Sequence, residues 1–103
     1  MSGYELLRSA VREQRQVVAG YQGYRREFCP HILGTKAGKA RALAYQFGGE
    51  TSGGPIASPH AGEWRCFEVD QLVDLELREG EWYTAATNRA RQRCVDSIDI
   101  EVE

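Results

Sequence analysis

The chain lacks any run of apolar residues approaching the roughly 20 needed to cross a bilayer. Its start, Met-Ser-Gly-Tyr-Glu-Leu-Leu, has neither the basic region nor the hydrophobic stretch of a secretion signal. The expectation is a cytoplasmic protein with no membrane partner. Cysteine is scarce as well. Cys29, Cys66 and Cys94 are too few and too widely spaced for a disulfide framework, and an odd number leaves at least one free thiol, which fits a reducing compartment. Internal repeats and low-complexity tracts are absent, and a net charge of −2 argues against strong nonspecific attraction to nucleic acid.

What is present is one domain's worth of sequence. The 103 residues suffice for a single core and bury roughly 65% of the unfolded surface. Charge is divided unevenly: residues 1 to 41 hold eight Lys/Arg against three Asp/Glu, and residues 42 to 103 hold five against twelve. A basic face built from the first part would attract an anionic ligand. The plainer alternative is that the two parts neutralise each other in the fold.

Apolar residues at Leu6, Leu7, Ala10 and Val11 fall at helical spacing, so Tyr4 to Gln14 reads as one amphipathic helix, with Ser2 and Glu5 placed as a capping box. After Arg15 the preference turns to strand. Val17, Ala19 and Tyr21 share a phase, Gln22-Gly23 is a turn, and a return strand from Tyr24 to Phe28 is expected to stop at Pro30, which cannot donate to a ladder. A turn at Thr35 to Gly38 leads to a third strand from Ala40 to Phe47. Residues 48 to 62 carry five glycines and two prolines and read as a mobile loop, either a lid or a hairpin excursion. Strands then follow at Trp64 to Val69, at Leu72 to Leu77 with Val73, Leu75 and Leu77 on one face, at Trp82 to Ala85, and at Ile98 to Val102. The fold class expected is mainly β with one N-terminal helix, a small strongly bent sheet or barrel of the Sm or SH3-like kind.

This succession carries a family likeness. The helix Leu6-Leu7-Arg8-Ser9-Ala10-Val11, the strand ending in Tyr21, the strand with Arg26-Glu-Phe28-Cys-Pro30 and Leu33, the turn at Gly38, and Arg65-Cys-Phe67-Glu-Val-Asp70-Gln-Leu72 together resemble the WYL domain over residues 4 to 77. Residues 78 to 103 are then a C-terminal extension of a single domain. Arg41-Ala42-Leu43 stands where the tripeptide that names the family is expected, and Gln71 replaces the arginine that ends its fourth-strand pattern. The resemblance implies a bacterial sensor or ligand-binding module with a role in transcription regulation, without catalysis. No helix-turn-helix precedes the helix, so the chain is expected to act with a partner, to act through its ligand alone, or to have taken up another task.

Arg26 shares a strand phase with Tyr24 and Phe28, and Arg65 with Phe67 and Val69, so both guanidinium groups point toward the interior or its mouth. A buried guanidinium forks onto a carboxylate or a phosphate. The first option is an internal salt bridge with Glu63, Glu68 or Asp70, and the second makes each arginine a ligand anchor. The expected site is Tyr21, Arg26, His31, Gln46 and Arg65, taking an anionic small molecule, a nucleotide or a short single strand of nucleic acid, with no cofactor. Arg26 and Arg65 bind the charge, Tyr21 stacks or hydrogen-bonds, and His31 and Gln46 orient.

Other chemistries rank lower. Cys29, Cys66, Cys94, His31 and His60 contain enough soft ligands for zinc but lack paired knuckles. A thiol nucleophile built from Cys29 or Cys66, His31 or His60, and Asp70 or Asp96 has no spacing that selects one set. The glycine-rich loop has no Lys-Ser/Thr and no following helix, so it is not a P-loop. The main alternative to a ligand-binding module is an assembly module, a homodimer or a complex with a partner protein, in which the acidic strand Asp99 to Glu103 adds to another chain.

Overall fold

A computed structural model describes residues 2 to 85 and 92 to 102. Helix α1, Gly3–Glu13, starts at Ser2, whose hydroxyl accepts from the Glu5 N–H, and buries Leu7, Ala10 and Val11. It ends at Gln14, whose left-handed backbone closes the C-cap through bonds to Ala10 and Val11.

Seven strands follow: β1 Gln16–Tyr21, β2 Tyr24–Lys36, β3 Lys39–Thr51, β4 Gly54–Pro55, β5 Glu63–Glu68, β6 Val73–Arg78 and β7 Ser97–Glu101. All pairings are antiparallel. The order β4-β3-β2-β1-β6 is extended by β5 on β3 and β7 on β2, giving a strongly curled half-barrel. β5 and β6 do not pair with each other, so the sheet does not close into a full barrel. Two-residue turns at Gln22-Gly23 and Ala37-Gly38 have positive φ at both positions, which suits the twist of a hairpin.

The core lies between α1 and the concave face of the sheet. Phe28, Phe67, Leu7, Leu33, Val17 and Val11 are fully enclosed there, and each such side chain contributes about 1.5–3 kcal/mol by leaving water. The convex face is not left to solvent. Cys94, Val95, Trp82 and Tyr83 pack against its Ile32, Leu43, Tyr45 and Phe47, so β2 and β3 are covered on both sides.

Several boundaries differ from the sequence expectation. β2 does not stop at Pro30 but runs on to Lys36. Pro30 falls where β1 has left β2 at Phe28 and β7 has not yet joined at Ile32, so neither outer ladder needs its missing N–H. His31, the next residue, is the extra one of a bulge between Pro30 and Ile32. Gly48 and Gly49 are not the start of a loop. They lie within β3, where Gly49 has φ 81° and a Cβ would run into the Arg25 carbonyl. The remainder of the loop is the β3–β4 hairpin followed by a 3-10 turn, Pro59–Ala61. Tyr45 pins that turn, its hydroxyl donating to the Pro59 carbonyl and accepting from the Gly62 N–H.

Val73 does not share a face with Leu75 and Leu77. Asp74 takes a left-handed φ of 53°, the ladder to β1 shifts register there, and Val73 is left 55% exposed. Residues 82 to 85 form no strand. The largest correction concerns cysteine: Cys66 and Cys94, 28 residues apart, form a disulfide, and Cys29 alone is free. Spacing concealed the pair because β3 and β5 bring Cys66 under a segment that is distant in sequence. With a disulfide present, cysteine usage no longer supports a reducing compartment. Among the described residues no helix is long and apolar enough to span a membrane.

The uneven charge is partly offset by ion pairs across the two parts of the chain. Arg8 pairs with Asp99, Arg15 with Glu79, Arg41 with Glu68, and Arg78 with Glu27. The plainer reading of the charge division thus holds for these four; Arg12 and Arg25 pair with Glu13 and Glu27 of their own part, Arg65 with Glu63, and Arg26 has no ion pair among the described residues.

Candidate functional site

Alternation along β2 sends Arg26 and Phe28 to the concave face and Cys29 and His31 to the convex one. On β3, Ala42, Ala44 and Gln46 are concave, and on β5 the residues opposite them are Phe67, Arg65 and Glu63. Tyr21, Arg26, Gln46 and Arg65 thus gather at one end of the half-barrel. His31 does not join them.

Arg26 is only 3% exposed. Its Nη1 donates to Gln46 Oε1 at 3.1 Å and its Nη2 to the Tyr21 carbonyl at 3.4 Å, while Nε is buried without a partner among the described residues. The guanidinium carbon sits 5.4 Å from the Tyr24 ring centre and 5.6 Å from that of Tyr21. No described carboxylate lies within ion-pair distance of it. Burial pulls the Arg26 pKa down and the neighbouring Arg65 pulls it further; the tyrosines and, least of all, Glu63 oppose this.

The partners have distinct roles. Gln46 is fully enclosed, and its amide nitrogen donates to the Gly48 and Glu50 carbonyls, leaving its oxygen to hold Arg26. It orients the arginine from behind and presents nothing to an open surface. The Tyr21 ring packs edge-on against Phe67, and its hydroxyl accepts from the Glu68 N–H, so that ring belongs to the core. Arg65, about one third exposed, donates to Glu63 at 3.0 Å. Its Nε also lacks a described partner.

Beside Arg65 opens a groove of about 450 Å³ between the β3–β4 hairpin and β5, lined by Thr51, Ser52, Pro55, Ile56, Glu63 and Arg65. A second, mostly apolar hollow of about 320 Å³ runs along the β1–β2 hairpin beneath Tyr24, Gly20 and Val73. Tyr24 was left out of the expected site. Its phase with Arg26 was visible, and the turn that leaves it half-buried beside the guanidinium was the further signal.

On the convex face His31 is 2% exposed, between Trp64 and Trp82 with ring centres 4.7 and 4.9 Å away. Its Nδ1 lies 2.7 Å from the Cys29 carbonyl, which can only accept, so Nδ1 carries the proton; in the neutral ring Nε2 then accepts from the Thr84 hydroxyl at 3.0 Å. The Cys29 thiol is buried beside it, accepts from the Tyr83 N–H, and is pushed up to about 11 by burial. The soft-ligand set does not assemble: two of its cysteines are bonded to each other, and no group of three metal-ligating residues occurs among the described residues.

Comparison with family models, with curated proteins and with solved structures finds no match for this chain.

Proposed function

We propose that the chain is a ligand-binding module without catalysis of its own, taking an anionic group at the Arg26–Arg65 end of the half-barrel. The observation that carries this is Arg26, a buried cation with neutral partners only and no partner at Nε among the described residues. A guanidinium withdrawn from water without a carboxylate is costly, and an incoming phosphate or carboxylate offsets that cost more than any neutral group does. Arg65 is the accessible half of the pair. Its exposed bridge to Glu63 contributes about 0–1 kcal/mol, so a ligand anion exchanges with Glu63 at little loss.

The adjoining groove has the size of a small-ligand site. Tyr24 offers a ring on which a base gains about 1–3 kcal/mol by stacking. These features favour a nucleotide or a short single strand over a simple ion. The resemblance to WYL domains adds a regulatory role to the reading. Titration with ATP and with an oligothymidylate tests it. Binding should weaken with salt and fall about tenfold or more in both Arg65→Ala and Arg26→Met. Unaltered affinity in both variants, or no binding of either probe by the unaltered protein, ends the reading.

A second reading, assembly through a strand edge, is favoured by β7. That strand pairs with β2 alone, and its Ile98 is 49% exposed. Light scattering separates the two: a strict monomer at high concentration, with mass unaffected by Ile98→Lys, removes self-assembly.

A further inference from the structure

The convex face is covered by chain that reaches it late and is fastened at few points. Val95 and Cys94 rest on Ile32 and Leu43 with Trp64 alongside. The Asp96 N–H donates to the Thr35 carbonyl, and Lys36 Nζ donates to the Arg93 carbonyl. The chain then crosses β2 at Gly34, where any Cβ would strike the Ser97 carbonyl and the Val95 side chain, and continues into β7. One covalent bond joins this cover to the sheet, the disulfide from Cys94 to Cys66 on β5. Its two ends differ: Cys94 is buried under the cover and Cys66 is exposed. Arg41 Nη1 stands 3.9 Å from Cys66 Sγ.

We propose that Cys66–Cys94 is a site of thiol–disulfide exchange with a dithiol reductant, and that its state sets whether residues 92 to 102 stay clamped to the sheet. This inference is independent of the anion reading. A thiolate of the reductant attacks Cys66 Sγ, the sulfur of the exposed cysteine. A mixed disulfide forms, the bond to Cys94 breaks, and its electron pair leaves on the Cys94 sulfur, which takes a proton from water. The second thiolate of the reductant attacks its own sulfur in the mixed disulfide, freeing Cys66 and closing the reductant to a cyclic disulfide. Two electrons have passed to the protein. Cys29, enclosed beneath Tyr83, takes no part.

Opening the ring leaves the cover held by apolar contact, a few hydrogen bonds and the β7 ladder. A segment so held opens locally far more often than the core does. β7 carries a free edge and the exposed Ile98, so reduction alters a surface suited to strand pairing.

Hydrogen exchange followed by mass spectrometry tests this, comparing protein purified without reductant, the same protein in dithiothreitol under native conditions, and Cys66→Ser. The oxidised protein should titrate one thiol after unfolding, and dithiothreitol should raise this to three without denaturant. Amides of residues 92 to 102 should exchange about tenfold faster in the reduced protein and in Cys66→Ser, with those of residues 16 to 28 unchanged. Three thiols in the purified protein even after oxidised glutathione, a bond that dithiothreitol breaks only after unfolding, or equal exchange in both states overturns the proposal. If Cys66→Ser does not fold, the dithiothreitol arm decides alone.

Discussion

The two faces of the β2–β3 ribbon each bury a polar nitrogen base among aromatic rings, and they treat it in opposite ways. On the convex face both ring nitrogens of His31 are engaged, by the Cys29 carbonyl and the Thr84 hydroxyl, and two tryptophans enclose the ring. On the concave face Arg26 keeps a permanent charge with only amide, carbonyl and ring partners, and its Nε has no described partner. The difference separates a polar group that completes a packed layer from one whose hydrogen bonding is left incomplete. Burial and aromatic company are common to both. Satisfaction of donors and charge distinguishes them.

The strongest way to break the convex side is at Gly34. Adding one methyl group there forces the Ser97 carbonyl and Val95 away from β2. Overpacking of this kind costs about 1–3 kcal/mol, and with backbone as the obstacle Gly34→Ala should fall at the upper end. Chemical denaturation measures the loss. Affinity for an anionic probe at the Arg26 end should stay within about twofold of the unaltered protein, since the Gly34 crossing and Gln46 lie on different faces. A loss of anion binding in Gly34→Ala would mean that the two faces are one cooperative unit.

A matched pair of substitutions sharpens the contrast. His31→Phe keeps the aromatic packing but removes two hydrogen bonds, which should cost about 2 kcal/mol by the usual value per bond. Arg26→Met keeps the length and discards the charge. It leaves Gln46 Oε1 without its donor, a penalty of about 1–3 kcal/mol, but relieves a desolvated cation that has no carboxylate, a gain of similar size. Its stability should lie within about 1 kcal/mol of the starting protein. Thermal and urea unfolding of both variants give the comparison. A loss from Arg26→Met as large as that from His31→Phe would place Arg26 among structural groups.

The sequence carried the helix, the two tight hairpin turns and the bent mainly-β class, because each rests on local chemistry: apolar period, a Ser cap, glycine after a left-handed position. It also carried the inward phase of Arg26 and Arg65. It did not carry what depends on one-residue slips. The bulge at His31 extends β2 past Pro30, and the left-handed Asp74 turns Val73 out to solvent, yet neither leaves a mark in a two-residue alternation. His31 was grouped with Arg26 by resemblance, although it lies five positions further along the strand, an odd offset that already places them on opposite faces. The Cys66–Cys94 pair was illegible for another reason. It depends on which distant segment covers the convex face, and that follows from the whole topology.

The smallest expected effect lies at the seam where the two layers meet. Asp99 on β7 accepts from the Tyr4 hydroxyl at 2.7 Å and from Arg8 Nε at 3.3 Å, joining the helix of the concave core to the strand that follows the convex cover. The Tyr4 hydrogen bond, aided by Arg8, holds the Asp99 carboxyl below its ordinary range. A depressed folded-state pKa adds stability that is present above the unfolded value of about 3.9 and is lost as pH falls through the folded value. Tyr4 behaves in the opposite sense. Burial, then its bond to Asp99, pushes it up to about 12, so its share is present below the unfolded value of about 10 and is lost as pH rises through the folded one. Thermal midpoints measured from neutral to acid pH should therefore fall further for the unaltered protein than for Asp99→Asn, and the gap should shrink in high salt, because the pair is exposed. Parallel midpoint curves for the two proteins would show that helix and strand are held by apolar contact alone, and the seam would then belong to neither face.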